Sequence, residues 1–181
     1  MEENGPEVGK MKRWPPSIGC MIGLALAVVF AQFMYGEVHH VLMSAQSNSF
    51  NGRCMSNLKL LANSIIMYSA YYDDHLPPAY SWRTSLSKSR YSSEYIRTSQ
   101  CLATQSKFTY AFNARLDGIT MAKVEMPAST VMIFESDAVS FDAVGSGKSL
   151  PQAPRHNGAD LYAFVDGHAK QVRRGMLKAK W

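Results

Sequence analysis

Charge is missing from one stretch of this 181-residue chain and acidity from another. Ser17 to Tyr35 is nineteen residues without a charged side chain, and no Asp or Glu follows Asp166. Cysteine is scarce as well. The three present never fall in a Cys-x-x-Cys spacing and the five histidines are scattered, so a zinc site is not expected. Gly145-Ser146-Gly147-Lys148 lacks the spacing of a phosphate-binding loop, which argues against a nucleotide role. No nucleophile motif of the serine-hydrolase kind is present and no internal repeat is visible. These absences point away from an enzyme, and no catalytic residue is assigned.

The uncharged stretch carries the strongest physical signal. Nineteen helical residues span about 28 Å, enough for a hydrocarbon core. Lys10, Lys12 and Arg13 precede it and Glu37 follows. Positive charge on the leading side places residues 1–16 in the cytoplasm and the rest of the chain beyond the membrane. Glu2, Glu3 and Glu7 count little in that rule. A cleaved signal peptide is the competing reading, but the run is long for one and no Ala-x-Ala site follows directly, so an uncleaved anchor is expected. The division that follows is a cytoplasmic segment 1–16, a transmembrane helix 17–35, an extracytoplasmic domain 36–174 and a basic tail 175–181. About one ordinary domain remains outside the membrane.

Beyond the membrane the helix is expected to weaken or kink at Asn48, Ser49, Asn51 and Gly52. From Cys54 an apolar stripe resumes at Leu58, Leu61, Ile65, Tyr68 and Tyr72, until Pro77-Pro78 stops it. Short helices are expected over 81–90, carrying Trp82 and Leu86, and over 91–97. Phe108–Asn113 and Val131–Glu135 read as strands, and 145–148 as a flexible linker. Leu161–Val165 and His168–Arg173 read as a closing hairpin joined by a two-residue Asp166-Gly167 turn with both residues at positive φ. The fold class expected is α+β: a long N-terminal helix packed on a small antiparallel sheet that ends in a hairpin.

Three ordered stretches carry a family resemblance. His156, nine residues, then Asp166-Gly167 resembles the His-X9-Asp-Gly signature of a group of bacterial prepilin-like, pseudopilin-like proteins. Cys54-Met55-Ser56-Asn57-Leu58-Lys59 is similar to that group's Cys-x-x-Asn-Leu-Lys helix. Asn113, closing Tyr110-Ala111-Phe112-Asn113, and Glu135, in Val131-Met132-Ile133-Phe134-Glu135-Ser136, fall in stretches like its central strands. The resemblance covers roughly residues 50–174. It implies a pilin-like envelope protein of the bacterial inner membrane, structural rather than catalytic, that assembles as a homo- or hetero-oligomer with other pilin-like subunits, as in type II secretion. The chain departs from that pattern in one respect: no Glu stands fifth after Gly19 or Gly23, where a processed prepilin carries one.

The remaining chemistry is sparse. Cys54 and Cys101 fall outside the membrane stretch and are candidates for a disulfide, worth roughly 4 kcal/mol by chain entropy; two unpaired thiols are the alternative. Cys20 lies in the apolar run. His156, Asp160, Asp166 and His168 invite a metal reading, and calcium is the one cofactor worth testing, for a membrane-tethered calcium- or ligand-binding module. The simpler reading gives Asp166 to turn geometry and His156 to packing. Glu135 is expected to pair with Arg155 or His156 and pin the hairpin to the sheet. Tyr68, Tyr71, Tyr72, Tyr80, Trp82, Tyr91, Tyr95 and Tyr110, interleaved with Arg83, Arg90 and Arg97, offer a stacking surface for cell-wall or other glycans, but more simply cap a small core. Nucleic acid is not an expected partner, and the basic tail reads as a solvated end.

Overall fold

A computed structural model describes residues 18–89, 100–138 and 140–181. The segments expected to form the cytoplasmic N-terminal segment (1–16) and the second short helix (91–97) lie outside them. The chain divides into two compact units, Met1–Ser44 and Ala45–Trp181.

Among the described residues, the first unit contributes helix only. Helix α1, Ile18–Tyr71, begins there and is unbroken through 48–52, where a kink was expected. Asn, Ser and Gly lower helix propensity by under about 1 kcal/mol each, too little to break a helix whose next turns are held by tertiary contacts. By length and composition α1 is the one helix among the described residues able to cross a membrane. From Met21 to Met43 its large apolar side chains lie 44–73% exposed.

The second unit is α+β. The last turns of α1 pack there through Cys54, Leu58, Leu61, Ala62 and Ile65, all without exposed surface. The stripe ends earlier than its periodicity suggests: Tyr68 is half-buried and stacks at 4.0 Å on Tyr72, which is exposed. Asp73 and Asp74, both at positive φ, turn the chain out of the helix. Helix α2, Trp82–Lys88, follows and buries Trp82 and Leu86.

Five strands form one mixed sheet in the order β3-β1-β2-β4-β5: β1 Tyr110–Asn113, β2 Val131–Glu135, β3 Val144–Gly145, β4 Ala159–Phe164 and β5 Ala169–Arg173. Four pair antiparallel, but β3 joins β1 in parallel, so the sheet is not the antiparallel one expected. The supposed flexible linker, 145–148, begins on the second residue of that strand. It then forms a 3-10 turn, Gly147–Ser149, closed by a capping box between Ser146 and Ser149.

Every residue of β1, β2 and β4 is buried, since both faces of the sheet are covered. Tyr110, Phe112, Ile133, Leu161 and Ala163 meet the α1 stripe on one face. Ala111, Phe134, Tyr162 and Phe164 turn to the other, against Leu177, Ala179 and Trp181. The basic tail is thus part of the fold rather than a solvated end. Its Lys180 backbone pairs with Val131 and Ser129, and Trp181 sits edge-on to Phe134 at 4.9 Å.

Two turns are worth separating. Of Asp166-Gly167 only Gly167 has positive φ, and the hairpin closes between Phe164 and His168. The loop is therefore the three-residue kind, Val165-Asp166-Gly167, with glycine in its last position. In the Asn157-Gly158 turn, by contrast, both residues have positive φ, and it is closed by paired bonds between His156 and Ala159.

Candidate functional site

Four side chains converge beneath the sheet: Cys54 from α1, Cys101 from the loop before β1, Glu135 from the end of β2, and His156 at the mouth of the Asn157-Gly158 turn. None has exposed surface. The two sulfurs are unbonded here, 2.7 Å apart, and Cys101 Sγ is 3.3 Å from His156 Nε2. With one atom taken from each, Cys54, Cys101 and His156 offer three donor atoms within 4.8 Å of one another.

The imidazole is held at both nitrogens. Nε2 is 2.8 Å from Glu135 Oε1, and Nδ1 is 2.5 Å from Asn51 Oδ1. Both neighbours as placed offer it an acceptor oxygen. The backbone carbonyl of His156 accepts from Gln171 Nε2 at 2.9 Å. Glu135 spends its other oxygen on the Leu161 N–H at 2.9 Å, and Arg155 Nη1 is 4.0 Å away. Arg155 has closer work, donating to the Ser136 carbonyl at 3.0 Å and pairing with Asp137. Glu135 thus joins β2, β4 and the segment that leads into β4. A buried carboxylate is tolerable only when its lone pairs are taken in this way.

The sulfurs are held unequally. The Cys54 thiol is drawn down to about 6, first by the hydrogen bond from Cys101 and then by the backbone N–H groups of Ala103 and Leu102, with His156 adding its charge. Leu102 N lies 3.0 Å from Cys54 Sγ. The Cys101 thiol is pushed up, because it donates to Cys54, is buried, and faces Glu135. Of the two thiols, Cys54 is the one that gives up its proton more readily.

The other motif residues act locally. Asn57 Nδ2 donates to the Gln100 carbonyl at 2.7 Å, Leu58 is core, and Lys59 is exposed. Asn113 donates to the Val131 carbonyl at 2.7 Å and accepts from Arg115 N. Asp166 accepts from the His168 backbone and lies 2.6 Å from its Nδ1, on the surface. Asp160 forms a two-point pair with Arg174 at 2.8 and 2.5 Å, which raises the guanidinium further. His156, Asp160, Asp166 and His168 therefore make separate contacts rather than one calcium cage. The aromatic–arginine surface is likewise not assembled where it is described: Trp82, Arg83 and Tyr110 are buried, with Arg83 lying over Trp82 and Phe141. Arg90, Tyr91, Tyr95 and Arg97 lie outside the described residues.

What sequence reasoning missed is the meeting of the cysteine pair with the Glu135–His156 pair, and the part played by Asn51. A partial signal existed. Asn157-Gly158 is itself a strong hairpin dipeptide, and it sets His156 at the start of β4.

Fold and site together define an α+β protein with one long apolar N-terminal helix and a buried thiol–imidazole–carboxylate cluster. Compared with known proteins, the chain matches no protein-family model, no curated protein and no solved structure.

Proposed function

We propose that this is a single-pass, pilin-like envelope protein of the bacterial inner membrane. Residues 1–16 face the cytoplasm and the folded unit lies beyond the membrane. Its work is assembly with other pilin-like subunits or contact at the cell surface, as in pseudopilins, rather than catalysis. The observation that carries the reading is the uncovered apolar stretch of α1: Leu24, Leu26, Val28, Val29, Phe30 and Phe33 are each more than half exposed. That much apolar surface stays out of water only in lipid or against other subunits. The non-catalytic part is supported by burial, since Cys54, Cys101, Glu135 and His156 have no surface from which to meet a substrate.

Membrane fractionation tests the anchor. The full chain should stay in the pellet after an alkaline wash, and protease added from outside should remove residues beyond 36. Leu24→Arg with Val28→Arg, at about 3 kcal/mol each for insertion, should release it. Recovery of the unaltered full chain as a soluble monomer without detergent would sink the proposal. Assembly predicts that detergent-extracted protein sediments as an oligomer and that the same double substitution leaves monomers.

A further inference from the structure

We propose that Cys54 and Cys101 are joined by a disulfide, formed as this unit folds, that fastens the loop at 100–103 to helix α1. Four non-covalent contacts already bracket the two sulfurs. Asn57 holds the Gln100 carbonyl at 2.7 Å, and Thr109 Oγ1 takes the Cys101 N–H at 2.7 Å. The Leu102 N–H points at Cys54 Sγ from 3.0 Å, and the Tyr110 hydroxyl donates to the Cys54 carbonyl at 3.1 Å. Helix and loop are thus registered on either side of the pair, so bond formation draws together two sulfurs that the fold already places in contact. The closed loop holds 46 intervening residues, long enough for a cross-link to remove substantial freedom from the unfolded chain.

The same atoms are less suited to a metal. A tetrahedral ion with metal–sulfur bonds of about 2.3 Å holds two thiolates more than 3 Å apart. His156 Nε2, the third donor, is turned to Glu135 at a shorter distance than to Cys101.

The oxidant is a disulfide, either glutathione disulfide or a thiol oxidoreductase in its disulfide form. The Cys54 thiolate attacks one of its sulfurs, breaking that S–S bond and releasing one thiolate. Cys101 then attacks Cys54 Sγ of the mixed disulfide, giving up its proton and expelling the second thiolate. The protein loses two electrons and one proton, and the oxidant leaves as one thiol and one thiolate. Both sulfurs are buried in the finished fold, so the oxidant reaches Cys54 before the loop at 100–103 closes, and Cys101 resolves the mixed disulfide as closure brings the two sulfurs together.

The bond depends on the membrane-anchored reading only for the compartment that oxidises it, and the test separates the two. Full-length Cys20→Ser protein is denatured, reduced, and refolded in detergent with a glutathione redox buffer, then denatured again and treated with a maleimide. The expected result is no label before reduction, two after it, and a melting temperature roughly 10 °C lower for the reduced protein. Two labels without reduction after refolding would overturn the inference. So would one zinc ion per chain, held by two free thiols and released by chelator. The redox state of the chain as isolated from cells bears on the compartment instead: free thiols there, with a bond that forms on refolding, uphold the disulfide and count against an extracytoplasmic head.

Discussion

Leu24, Leu26 and Val28 on the first half of α1, and Leu58, Leu61 and Ile65 on the second, are residues of the same kind in the same helix. The first three are 55–65% exposed and the latter have no exposed surface. Apolar character alone therefore says that a residue must be covered, not by what. In the second half, polar residues of the helix also take part: Asn51 reaches His156 and Asn57 reaches the loop at 100–103. Among the described residues the first half offers nothing comparable, and the hydrogen bond from Ser44 Oγ to the Val41 carbonyl stays within the helix. A stretch that is only apolar accepts any apolar neighbour, whereas one with polar anchors accepts a single register.

The largest expected effect tests whether those anchors matter. Glu135→Ala strips His156 and the Leu161 N–H of their buried partner and should cost about 3–5 kcal/mol in denaturant unfolding of the detergent-solubilised full chain. Glu135→Gln should cost less, because it keeps the acceptor for Leu161. An unchanged midpoint for both would reduce the contrast to apolar packing alone.

A smaller effect compares the halves directly. Leu58→Ala opens a cavity in the core and should cost about 2–5 kcal/mol, while Leu24→Ala should change the same unfolding midpoint by under about 0.5 kcal/mol. Equal losses would mean that the first half is as much a part of the folded core as the second.

The smallest effect concerns the far face of the sheet, away from α1. Burial first, and then the Asp160 charge, push the Tyr162 hydroxyl up to about 12. The folded state holds that proton more tightly than the unfolded chain does, so the associated stability is complete below about pH 10 and is lost as pH rises toward 12. Melting temperature measured between pH 9 and 12 should fall more shallowly in Tyr162→Phe. Parallel curves would remove tyrosine ionisation as the cause.

Much of the fold could be read from local pattern. The uncharged run, the stripe from Cys54 to Ile65, α2, β1, β2 and the final hairpin each follow from periodicity or β-branched content over a few residues. The misses were non-local. Val144–Gly145 carries no strand signal, yet it pairs because β1 leaves a free edge and the Phe112 N–H bonds to the Ala143 carbonyl at 2.9 Å. Trp181 and Leu177 looked solvated because nothing nearby in the chain shows that Phe134 and Tyr162 leave apolar surface on that face for them to cover. The pairing of Glu135 with His156 was one of two partners expected, with Arg155 the other. Choosing between them required the Asn157-Gly158 turn, which brings the imidazole inward.

By itself the sequence determined that one helix is apolar enough to seek a membrane and that a modest α+β unit follows, because both depend on residue spacing and hydropathy within short windows. Only the tertiary structure decided that Cys54, Cys101, Glu135 and His156 meet in one buried cluster. They come from a helix, a loop, a strand end and a turn, and the distances between them are set by strand register and by close packing of both sheet faces.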